Sequence, residues 1–203
     1  MTLAVASAIG MQFSLPNRHI LSPTFLFPAV ETLLIVVLLS GRGSHIDRWS
    51  VARRWIILGL VIVMSADNML AVVELVREIL NGSKGDSGTV LLATGGAVWA
   101  TNVIAFSLWF WMLDGGGPTA RASGHASPPS FMFATQQSGG LAPADWEPQY
   151  LDYLYLAFTN ATAFSPTDTM PLTRWAKSLM LTQATISLVV ALMIIARAVS
   201  ILK

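Results

Sequence analysis

Apolar residues gather in four long runs, and the polar links between them set the elements. The first run, Thr24 to Leu39, is stopped by Ser40-Gly41-Arg42-Gly43. The second, Trp55 to Leu75, is interrupted by Ser65-Ala66-Asp67-Asn68. The third, Thr89 to Met112, closes on Trp109-Phe110-Trp111 and is ended by Asp114-Gly115-Gly116-Gly117-Pro118. The fourth runs from Ser178 to Ala196 and ends at Arg197. Runs near 20 apolar residues suit a hydrocarbon layer about 30 Å thick, and Trp at a run's end marks its interface. Ahead of the last run, Tyr150 to Thr162 predicts a shorter helix, with Asp145 or Glu147 to cap it and Pro148 in a tolerated first-turn place. A helix of that length rises only about 20 Å and cannot span. Short helix, polar turn and full span predict a re-entrant segment. Non-helical backbone at membrane depth persists only where protein or a water-filled path covers it. The fold class expected is therefore an all-α integral membrane protein with four transmembrane helices and a re-entrant helix and loop before the last span.

The organisation that follows has four parts. Residues 1–23 are an apolar N-terminal segment, 24–113 hold three spans, 114–145 form a Gly/Pro/Ser-rich loop, and 146–203 carry the short helix, its loop and the last span. Residues 1–16 contain a cleavage-like Ala6-Ser7-Ala8 but no Lys or Arg near the start, which favours an interfacial or partly inserted helix over a secretory signal. In the loop, Phe131-Met132-Phe133 is the one apolar patch, expected against the membrane end of the bundle. The link Asn81-Gly82-Ser83-Lys84-Gly85 lacks the spacing and preceding strand of a phosphate loop.

Composition narrows the class. The chain is 54% hydrophobic and 11% charged, with mean hydropathy +0.61, whereas soluble domains carry about 25% charge. The lipid bilayer is thus its surrounding partner. A net charge of +1 speaks against nucleic acid. Cysteine is absent, and His19, His45 and His125 lack metal-ligand spacing, so neither a metal site nor a cofactor is expected. No nucleophile triad or paired acids point to an enzyme. A helix-pair repeat, the mark of many transporters, is missing, and no span carries Arg at every third position. Orientation is nearly balanced. Arg42, Arg48, Arg53, Arg54, Arg121, Arg174 and Lys177 fall on one side, and Arg18, Arg77, Lys84, Arg197 and Lys203 on the other.

Polar residues inside the apolar runs are the candidate chemistry. Glu31 sits in the first run behind Pro28. Asp67 and Glu74, seven apart, share one face of the second, beside Asn68; Asn102 lies in the third. An ionisable residue within a span costs about 2.5–3.5 kcal/mol on insertion scales and normally faces a partner or water. These acids form either a proton or cation relay or a polar seam with Asn102. Gly96 and Ala100 provide a small-residue step for close helix approach. In the last run Thr182, Gln183 and Ser187 would line a path or join neighbours.

The segment Thr162-Ala163-Phe164-Ser165-Pro166-Thr167-Asp168, with Pro171, Thr173 and Trp175 behind it, resembles the pore module of the tetrameric potassium and cation channel superfamily. There a pore helix carries T-x-T-T-V-G-Y-G-D and P-x-T precedes the inner helix. The likeness covers about a quarter of the chain. The whole chain also resembles a bacterial family of four-span membrane proteins bearing F-T-N-A-T-A-F-S-P-T-D-T, which implies a multi-pass place in a bacterial plasma (inner) membrane. Potassium filters need two glycines so that carbonyls face the axis. Here Ser165 and Thr167 stand at those positions with Pro166 between them, and proline drives its predecessor to extended backbone. A potassium-type carbonyl ladder is not expected on that ground. What the resemblance implies is a homo-oligomer, a tetramer, permeable to monovalent cations, with Ser165 and Thr167 hydroxyls beside a ring of Asp168. The alternative is a turn and helix cap with Asp168 at the membrane surface. Three functions stay open: a cation channel with a degenerate filter, a non-conducting scaffold or partner subunit that keeps the fold, and a proton-coupled transporter using Asp67 and Glu74.

Overall fold

The structure, a computed structural model, describes residues 6, 7, 10, 32, 46–81, 88–137, 143, 146–162 and 169–201. In chain order the elements are α1 (Ile46–Asn81), α2 (Gly88–Leu113), α3 (Pro118–Ala122), β1 (Phe131–Phe133), α4 (Ala134–Gln137), α5 (Tyr150–Thr162), β2 (Thr169–Pro171) and α6 (Arg174–Ile201). A 3₁₀ turn at Asp114–Gly116 joins α2 to α3. The described residues are mostly helical, and among them three segments are long and apolar enough to cross a membrane: Arg54–Arg77, Leu92–Arg121 and Arg174–Ala196. Apart from Thr32, the first predicted run, 24–39 with Glu31, lies outside the described residues. So does most of 1–23.

Two units divide the chain, Met1–Ala105 with Leu188–Lys203, and Phe106–Ser187, the division falling within α2 and within α6. In the first unit α1 is a single helix. It passes without a break through Ser65-Ala66-Asp67-Asn68, and it begins at Ile46, inside the basic stretch that the sequence leaves as a link. Ser65 Oγ donates to the Val61 carbonyl at 2.7 Å, so the polar step satisfies its hydroxyl on its own helix. Ile57, Leu60, Val61, Met64, Ala71, Val72 and Leu75 recur at three- and four-residue steps as the buried face. Trp55, Ile62 and Met69 are exposed on the other, so large apolar side chains lie on both faces of the helix. Asn68 Nδ2 donates to the Val98 carbonyl on α2 at 2.8 Å. The close helix approach expected at Gly96 falls one residue earlier. A Cβ on Gly95 would lie 2.5 Å from the Ile194 side chain of α6, whereas one on Gly96 would meet nothing within 4 Å.

In the second unit, residues 114–137, expected as loop, hold two short helices, a 3₁₀ turn and a strand. Gly115, Gly116 and Gly117 have φ of 55°, 83° and 94°, a left-handed run that only glycine adopts without strain. A Cβ on Gly117 would also sit 2.8 Å from the Met112 carbonyl oxygen. Pro118 then opens α3 at a first-turn position. Phe131-Met132-Phe133 is a strand, not merely a patch. It pairs antiparallel with β2, Phe131 opposite Pro171 and Phe133 opposite Thr169, and Leu172 N–H extends the ladder onto the Ser130 carbonyl at 2.8 Å. Phe131 and Phe133 are buried in an aromatic cluster. Phe131 meets Phe110 (5.1 Å between centroids), Trp175 (5.8 Å) and Tyr153 (6.5 Å), while Phe133 meets Tyr153 (5.3 Å) and Trp146 (6.0 Å). These edge-on contacts each add about 0.5–1.5 kcal/mol beyond area burial.

Candidate functional site

The second unit is built around a carboxylate. Asp114 follows the last residue of α2 and is 2% exposed. Its Oδ1 accepts the Ser130 N–H at 2.6 Å and the Phe131 N–H at 3.3 Å, and its Oδ2 accepts the Tyr153 hydroxyl at 2.6 Å. One side chain thereby ties together the end of α2, the start of β1 and α5. Arg121 covers the helix end. Its Nη1 donates to the carbonyls of Trp111 (3.2 Å) and Asp114 (2.5 Å), satisfying acceptors that a helix C-terminus leaves without partners. Its guanidinium carbon lies 5.3 Å from the centre of the Tyr153 ring, a cation–π contact. Burial pushes the Tyr153 phenol well above its ordinary range, and the charge and hydrogen bond of Asp114 push the same way against Arg121. Tyr150 is likewise raised by burial, and its hydroxyl lies 2.9 Å from Ser107 Oγ, a bond that pulls the other way.

A second polar knot joins α5 to α6. Asn160 Nδ2 donates to Gln183 Oε1 at 2.8 Å and to the Met180 carbonyl at 2.9 Å, while Gln183 Nε2 donates to the Ala157 carbonyl at 2.8 Å. Both amides are buried, so each finds the partners that burial requires. The two helices advance in the same direction. Near their starts Tyr153 and Trp175 both touch the Phe131 ring; seven residues further along α5, Asn160 meets Met180 and Gln183. Seven helical residues rise about 10 Å. The chain leaves α5 at the level of Gln183 and is back beside β1, at the level of Trp175, by Thr169.

The residues singled out by sequence divide accordingly. Thr162 is exposed at the end of α5, its hydroxyl donating to the Phe158 carbonyl at 2.9 Å. Ala163, Phe164, Ser165, Pro166, Thr167 and Asp168 lie outside the described residues. On α6, Gln183 and Ser187 are buried, whereas Thr182 is exposed and donates to the Ser178 carbonyl at 2.9 Å. Asp67, Asn68 and Asn102 are buried, and Glu74 is half-buried. The polar knot thus gathers Gln183 with Asn160, a residue that the sequence pattern does not single out, any more than Tyr153 or Arg121. In the sequence Asp114 stands only as part of a helix stop. The available signal is a lone acid between an aromatic-rich apolar run and three glycines. No group of three or more His, Asp or Glu suited to a metal occurs among the described residues. Comparison of the chain with known protein families, curated proteins and solved structures finds no match.

Proposed function

We propose that this chain is a four-span integral membrane protein of a bacterial plasma membrane whose α5, following loop and α6 form a re-entrant pore module in a cation-permeable homo-oligomer. The observation that carries this reading is the shared direction of α5 and α6. A short helix running beside the spanning α6, its end knotted to Gln183 about 13 Å beyond the start of α6, needs a connection that climbs back before α6 can begin. That connection holds Ser165, Thr167 and Asp168. Hydroxyls and a carboxylate at a turn of this kind would attract cations rather than coordinate them through a carbonyl ladder. Along α6 the exposed face carries Ser178, Thr182 and Thr185, each bonded to the carbonyl four residues before it. That face is the one available to a pore; Ser187 and Gln183, buried within the protomer, take packing roles instead.

Recording from purified protein in planar bilayers tests the function. Wild type should carry potassium and sodium, and Asp168→Asn should lower cation-over-anion preference severalfold. Unaltered selectivity in the variant would remove Asp168 from the path. Absence of current from folded protein would favour a scaffold. A proton-coupled transporter keeps one observation in its favour, the burial of Asp67 midway along a candidate span. In that case Asp67→Asn should abolish proton-linked flux while Asp168→Asn does little.

A further inference from the structure

Trp109 and Leu113 on α2 and Trp175 and Leu179 on α6 line an open groove of about 340 Å³. We propose that this groove holds one acyl chain of a bilayer phospholipid, retained in preference to the bulk lipid. The inference rests on the reading that α2 and α6 span a bilayer, and not on ion conduction.

Three features select this occupant. Every lining side chain is apolar or an indole, so the groove offers hydrocarbon contact without a charged group to orient a polar ligand. Its volume sits at the low end for small-molecule sites, enough for a single chain and too small for a helix. All four residues fall within segments long and apolar enough to cross a membrane, which places acyl chains against the opening. The two tryptophans lie toward the end of one span and the start of the other, the depth at which aromatic residues mark the membrane interface and acyl chains begin. The groove is also preformed. Trp175 is held edge-on by Phe131 at 5.8 Å, and the Phe131 N–H is held in turn by Asp114. A wall fixed by a hydrogen-bonded strand loses little freedom on binding, which favours retention.

The test is native mass spectrometry of the full chain extracted from membranes and exchanged into mild detergent. Wild type should keep one phospholipid per protomer. Leu179→Trp, which fills the groove, and Leu179→Ser, which adds a hydroxyl without bulk, should each reduce the lipid-bound fraction at least severalfold while circular dichroism shows an unchanged helix content. Lipid-free wild type, or retention in both variants equal to that of wild type, would overturn the proposal. So would occupation of the groove by a second copy, seen as a dimer lost in Leu179→Trp with no lipid in either species. Recovery of wild type from the soluble fraction rather than from carbonate-washed membranes would instead overturn the spanning reading on which the groove depends.

Discussion

Asp114 sets how α2 ends. Its two oxygens accept three donors from segments that lie 16 to 39 residues further along the chain. An amide in its place can keep one oxygen on the Ser130 and Phe131 N–H groups, but its NH2 then faces the Tyr153 hydroxyl, which must turn from donor to acceptor and leaves one amide hydrogen without a partner. Asp114→Asn should therefore lower stability by about 1–3 kcal/mol, the cost of leaving buried polar groups unsatisfied, seen as a lower thermal midpoint in detergent. Tyr153→Phe removes one of the three donors and should cost less. The phenol also makes stability depend on pH. Its folded pKa lies above the unfolded value near 10, so its protonated form is favoured by the fold. That contribution is complete below about pH 10 and is lost as pH rises further. Between pH 8 and pH 11 the wild type should lose more stability than Tyr153→Phe; equal losses would remove Tyr153 as the cause. None of this network was legible in the sequence, because a hydrogen bond between positions 114 and 153 leaves no local pattern. The three glycines did announce that the helix stops there, since nothing else tolerates their left-handed backbone.

Among the elements, α5 was legible in its extent, because its length and its closing threonine fall within a single stretch, and the helix runs from Tyr150 to Thr162 as the pattern implies. Of the two acids expected to cap it, Asp145 lies outside the described residues, and within the first turn Asp152 accepts the Gln149 N–H at 2.7 Å. β1 was not legible, because three residues carry too little alternation to name a strand. Its partner lies far along the chain, with Met132 opposite Met170 on β2. The small-residue step in α2 was legible as a pattern but not in its register, since Gly95 and Gly96 are equivalent until a neighbour chooses between them. Ile194 chooses Gly95. Gly95→Ala should destabilise the helix packing by about 1–3 kcal/mol, the usual cost of overfilling a packed contact, while Gly96→Ala, whose added Cβ meets nothing within 4 Å, should raise the thermal midpoint, by up to about 1 kcal/mol of helix propensity. Between α5 and α6, Asn160→Ala and Gln183→Ala should each lower the thermal midpoint, and the double variant should lose less than the sum. Residues that share a hydrogen bond couple by about 0.5–3 kcal/mol; strict additivity would show that the two amides act separately.

For the molecule as a whole, composition and the long apolar runs made helices of membrane-spanning length legible, and three of the four runs coincide with helices able to span. The count of four spans and the proposed pore draw on the first run and on residues 163–168, which but for Thr32 fall outside the described residues. Both depend on the chain entering at α5 and returning before α6 on one side of the membrane. Because the chain has no cysteine, single cysteines report without background. Gln149→Cys, just before α5, and Leu172→Cys, just after β2, are both at exposed positions. Labelling each in sealed vesicles with a membrane-impermeant maleimide decides the point, with Lys203→Cys as the reporter beyond α6. Gln149→Cys and Leu172→Cys should react from the same side, and Lys203→Cys only from the other. Reaction of Gln149→Cys and Leu172→Cys from opposite sides would mean that α5 crosses the membrane, and the re-entrant module would be wrong.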